Sequence, residues 1–101
     1  MNKEQFFDAI AGLKYHPNLY IRNDEHCLRF GEYKTGKLLC VLAALVYVKS
    51  GVMYESLNWQ ILANELGLDP AFAFQVIVAS DTKNSSQNQL REELTRRVCG
   101  K

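Results

Sequence analysis

The chain has 101 residues, 48% of them hydrophobic and 23% charged, with a formal net charge of +1. That composition excludes long-range disorder, and the length suits one domain over residues 1–101 that folds without a metal or disulfide. The near-neutral balance also lacks the basic excess with which most nucleic-acid-binding domains grip phosphates.

In chain order, Phe6, Ile10 and Leu13 recur at helical spacing, predicting a helix from Lys3 to Tyr15. Asn2 and Gln5 stand as a capping box, and His16-Pro17 ends the helix because the residue before proline is pushed out of the α region. From Asn18 to Tyr33 the period changes to two. Leu19, Ile21, Leu28 and Phe30 alternate with polar residues around the turn Asn23-Asp24-Glu25, which predicts a short antiparallel hairpin. Leu38 to Val48 is an unbroken apolar run of eleven residues. It is too short to span a bilayer, which takes about 20 residues. Within Gly36 to Ser50 it reads as a central buried helix ended by Gly51, its length and two alanines favouring helix over the alternative of a buried strand.

Ser56 or Asn58 caps a helix from Trp59 to Leu66, and Gly67 stops it. Asp69-Pro70 then supplies an N-cap followed by proline at the first helical position. Residues Ala71 to Ala79 alternate well enough to suit a strand, but the Asp-Pro start and three alanines favour helix. A last helix runs from Gln87 to Cys99 behind a Ser86/Gln89 capping box, with Leu90, Leu94 and Val98 as its stripe. Glu92–Arg96 and Glu93–Arg97 are favourable i, i+4 pairs, and Gly100 terminates the helix. The expected fold is mainly α with a small β-hairpin: a compact bundle of four to five helices around a central apolar helix.

Catalytic and metal motifs are missing from this pattern. Cys27, Cys40 and Cys99 have no repeated spacing, and His16 and His26 do not form a zinc-ligand pair. His26 adjoins Cys27, yet neighbours on a strand point to opposite faces, so they form no nucleophile–base pair. Neither metal nor cofactor is implied, and no enzyme activity is expected. Three reduced thiols and a start without an apolar leader place the expected chain in the cytoplasm, away from membranes.

Tyr20, Arg22 and Arg29, together with Tyr33, share the outer face of the hairpin, and Tyr and Arg are enriched at binding hot spots. The expectation is therefore a small cytosolic protein-binding module of bacterial or phage type, in the manner of an immunity protein, antitoxin or inhibitor. The alternative starts from Leu62-Ala63-Asn64-Glu65-Leu66-Gly67-Leu68, which resembles the first half of a helix-turn-helix. On that reading residues 59–80 make a DNA-binding regulator, with Gln75, Arg91, Arg96 and Arg97 as contacts. The groove-facing segment from Ala71 to Val76 carries one amide and no positive charge, which weighs against it. Arg96, Arg97 and Lys101 also suit a helix C-terminus, where the macrodipole favours cations. A third expectation is self-association through an apolar face of Ala71 to Ala79, making a homo-oligomer.

Overall fold

The computed structural model describes residues 1–24, 27–54, 58–82 and 86–100. The first helix, α1 (Lys3–Leu13), opens on the expected capping box. The Asn2 side chain accepts from the Gln5 N–H at 2.8 Å, and the Gln5 side chain accepts from the Asn2 N–H at 2.9 Å. Phe6, Ile10 and Leu13 are its buried stripe. The helix stops two residues before Tyr15, because the N–H groups of Tyr15 and His16 turn back to the carbonyls of Gly12 and Leu13 ahead of Pro17.

Two antiparallel strands follow, β1 (Leu19–Asn23) and β2 (Leu28–Glu32), with Ile21 opposite Phe30 and Arg22 opposite Arg29. Leu19, Leu28 and Phe30 are buried and Ile21 is half-buried, so the predicted alternation holds. The hairpin gains a third strand, however, in β3 (Leu38–Leu39), which continues the sheet in the order β1-β2-β3. These two leucines were expected to begin the central helix. They pair instead with the open edge of β2, Phe30 opposite Leu39 and Gly31 opposite Leu38. An apolar pair suits either conformation, and the unfilled hydrogen bonds of a strand edge decide between them.

The central helix α2 therefore runs only from Val41 to Ser50, with the Cys40 sulfur accepting from the Ala43 N–H at 3.4 Å as its cap. Val41 to Val46 are buried, whereas Val48 is exposed, so the helix is not enclosed on all sides along its length. Gly51 ends it with φ at 76°. Helix α3 (Trp59–Leu66) is capped by Asn58; Ser56, the other candidate, lies outside the described residues. Gly67, at φ 63°, makes the turn into α4 (Pro70–Asp81), where Asp69 accepts from the Phe72 N–H at 3.1 Å. Phe72, Ala73, Val76, Ala79 and Ser80 form its buried side, which makes residues 71–79 helix rather than strand.

The last helix, α5 (Asn88–Cys99), buries Leu94 and Val98. The Ser86/Gln89 box does not form: the helix starts one residue later than expected, and the Gln87 side chain, at the cap position, does not cap the helix. Arg96 and Arg97 both engage Glu93, so Arg96 does not take Glu92. In the assembled chain α2 packs against α1, α3, α4 and the inner face of the sheet, while α1 lies along α5. The radius of gyration, 12.2 Å, is that of a compact unit. Among the described residues no helix is long and apolar enough to cross a membrane, and no cluster of His, Cys, Asp and Glu could hold a metal ion.

Candidate protein-binding face

The outer face of the sheet is built by the residues that alternate with the core positions. Tyr20 lies opposite Gly31, and its ring crosses over that glycine so closely that a Cβ there would overlap it. Glycine at this point in the strand is what lets the ring lie flat on the sheet. The Tyr33 ring sits 5.0 Å from the Tyr20 ring, tilted by 48°, and Tyr33 remains 65% exposed. Beside them, Leu38 of the edge strand is 45% exposed. Arg22 and Lys34 are exposed at the margins of this apolar group.

Behind Tyr33 the chain turns on a buried carboxylate that sequence patterning does not reveal. Glu32 is 2% exposed, and its oxygens accept from the Lys34 N–H at 2.9 Å, the Thr35 N–H at 2.9 Å and the Thr35 hydroxyl at 2.7 Å. The Thr35 hydroxyl first, with the two backbone N–H groups and the Lys34 charge, holds its carboxyl below the usual carboxylate value against the opposing effect of burial. The Glu32 backbone N–H also bonds the Lys37 carbonyl at 2.9 Å, closing the loop between β2 and β3. Glutamate placed three residues before a threonine-glycine step is the only sequence signal for this clasp.

Arg29 departs from the expected group. It alternates onto the outer face, but its guanidinium reaches Asp81 at the end of α4, 2.9 Å away, with the two side chains 23% and 27% exposed. Arg22 and Arg29 stand directly opposite across the strands, an unfavourable like-charge pairing that Asp81 offsets. Asp81 in turn occupies the last turn of a helix, where the dipole disfavours an anion. Arg91 relieves that end by donating to the carbonyls of Ala79 and Ser80, both at 3.1 Å, and to the Asp24 carbonyl at 3.3 Å.

The ion pair lines a cavity of about 180 Å³ between β3, the start of α2, α3 and the end of α4. Leu38, Tyr54, Trp59, Leu62 and Ile77 form its apolar walls, with Cys40 at its margin. Burial pushes the Cys40 thiol up, so it stays protonated near neutrality. Cys27 and Cys99 are also free thiols. Leu38 belongs both to this cavity and to the tyrosine face, which makes the two continuous. Tyr54, Trp59 and Asp81 went unnoticed in the sequence because they come from three segments that only the fold assembles. A second cavity, about 290 Å³, lies between α1 and α2 with almost wholly apolar walls.

The residues of the DNA-binding alternative sit elsewhere. Helices α3 and α4 do meet in a tight turn, and Gln75 is exposed on α4, but Ala71 and Phe74 share its exposure. Arg91 turns inward to the carbonyls of α4, Arg96 and Arg97 bond Glu93, and Arg97 stacks over Phe7 at 5.4 Å. His16 accepts from the Asn18 N–H through Nδ1 at 3.2 Å, in the turn between α1 and the hairpin. His26 and Lys101 lie outside the described residues. Comparison with protein-family models, curated proteins and solved structures finds no match.

Proposed function

We propose that the chain is a cytosolic protein-binding module whose partner rests on the outer face of the sheet, as an immunity-type or inhibitory protein acts by contact alone. The observation that carries this reading is the Tyr20–Tyr33 ring pair laid over Gly31 with Leu38 beside it. Two aromatic rings and a leucine on a strand-borne surface are the components of a hot spot, an apolar centre that a partner desolvates. Arg22 and Lys34 at the margin favour a partner with acidic groups around its own apolar centre. The odd count and scattered spacing of Cys27, Cys40 and Cys99 favour a reducing compartment.

Affinity capture from the native cell, read by mass spectrometry, tests the reading. A specific protein partner is retained by wild type and by Tyr15→Ala, a control that removes an exposed tyrosine at the end of α1. The same partner is lost with Tyr20→Ala and with Tyr33→Ala. Retention by both sheet variants removes the face from consideration.

A further inference from the structure

We infer that the cavity beside the tyrosine pair receives one tyrosine side chain of the partner protein, its ring between the apolar walls and its hydroxyl on the Arg29–Asp81 pair. This rests on the protein-binding reading above and adds the chemistry of the anchor. Size is the first constraint. Clefts that take drug-sized ligands or cofactors run to about 300–1,000 Å³. At about 180 Å³ this one has room for a single large side chain.

Shape and polarity narrow the choice. Leu38, Trp59 and Ile77 offer apolar contact to a flat ring, with Trp59 itself held against Phe74 at 5.4 Å between ring centres. At the polar end, a donor and an acceptor lie side by side. Arg29 has five N–H groups, and among the described residues its bonded partner is Asp81 Oδ1. That same oxygen also takes the Ser80 hydroxyl at 3.3 Å. An entering group must therefore accept from Arg29 and donate to Asp81, or it desolvates the pair without replacing water.

Few side chains meet both demands. Phenylalanine does neither, and tryptophan only donates. Lysine and arginine donate but bring a charge against Arg29, and carboxylates bring one against Asp81. Serine, threonine, asparagine and glutamine carry no ring for the walls, and neutral histidine splits its donor and acceptor between two separate ring nitrogens. A phenol hydroxyl donates and accepts from one atom at the tip of a ring, and so fits both ends of the cavity.

Trp59 is the only tryptophan of the chain, so its emission reports on this cavity alone. The probes are p-cresol, which reproduces the tyrosine side chain, and toluene, which lacks only the hydroxyl. Saturable change of Trp59 emission by p-cresol is expected, with toluene binding about tenfold more weakly, the worth of a hydrogen bond to a charged group. Arg29→Met should abolish that preference. If this variant does not fold, the wild-type chain suffices: p-cresol should slow alkylation of Cys40 and leave the exposed Cys99 unprotected, resolved by peptide mass spectrometry.

Equal binding of toluene, no saturable change, or unprotected Cys40 overturns the inference. A dimer that p-cresol dissociates would put a second copy's tyrosine in the cavity and overturn the foreign partner. These readouts concern the cavity only, while capture by the Tyr20 and Tyr33 variants concerns the face, so either proposal fails separately from the other.

Discussion

On the inner side of β2, Leu28 and Phe30 are fully buried and the strand packs on α2, whereas on the outer side Gly31 lies under the Tyr20 ring and Arg29 reaches across to Asp81. Adjacent residues of one five-residue strand thus answer to different demands. The inner positions are replaceable only by something of the same volume and greasiness. Along the outer side, ring placement, a missing Cβ and a single ion pair set the shape of a surface that the core does not need.

Truncation separates the two sides most strongly. Phe30→Ala should cost about 3–5 kcal/mol, a large share of the roughly 5–15 kcal/mol that holds a domain together, while Tyr33→Ala should stay within about 0.5 kcal/mol. Urea denaturation followed by circular dichroism measures both, and equal costs would erase the distinction. Next in size is Arg91→Met. Loss of the charged donor from the Ala79 and Ser80 carbonyls should cost about 1.5–3 kcal/mol and loosen the hairpin turn at Asp24, visible as faster amide exchange there.

Glu32 belongs to the inner set by burial and to the outer set by what it shapes, and pH can show which role matters. Its folded carboxyl lies below the ordinary 4.5, so the stability it contributes is present above that value and disappears as pH falls through the lowered one. Wild type should therefore lose its advantage over Glu32→Gln on acidification below about 4.5, in paired denaturation curves; parallel curves would show that the charge is not involved. A modest effect on stability is expected from Gly31→Ala, about 1 kcal/mol or less, since only the far end of Tyr20 has to move. Partner capture should nonetheless drop sharply, because Tyr20 is kept but displaced. Undiminished capture would mean that the ring's position on the sheet is irrelevant.

Local patterning made much of this architecture legible. Asn2 with Gln5, Asp69 with Pro70, and the stripe Phe6-Ile10-Leu13 each act within a few residues, and each forms as expected. Alternation likewise sorted Tyr20 and Arg22 from Leu19 and Ile21. What escaped was non-local. Leu38 and Leu39 become a strand because β2, several residues earlier, has an edge to fill. The cavity joins Arg29, Trp59 and Asp81, whose proximity no spacing rule along the chain encodes. Ser86 misled for the opposite reason: the right residue types stood one position out of phase with the helix that formed.

On the proposed binding reading, the clasp that Glu32 makes on Lys34 and Thr35 would bear on the speed of recognition as well as its strength. A loop already locked in shape does not have to reorganise after collision, so the rate of complex formation is limited by mutual orientation, about 10⁵–10⁷ M⁻¹s⁻¹ for two rigid proteins. Unclasping it by Glu32→Gln would slow the approach to complex while the tyrosines themselves stay in place.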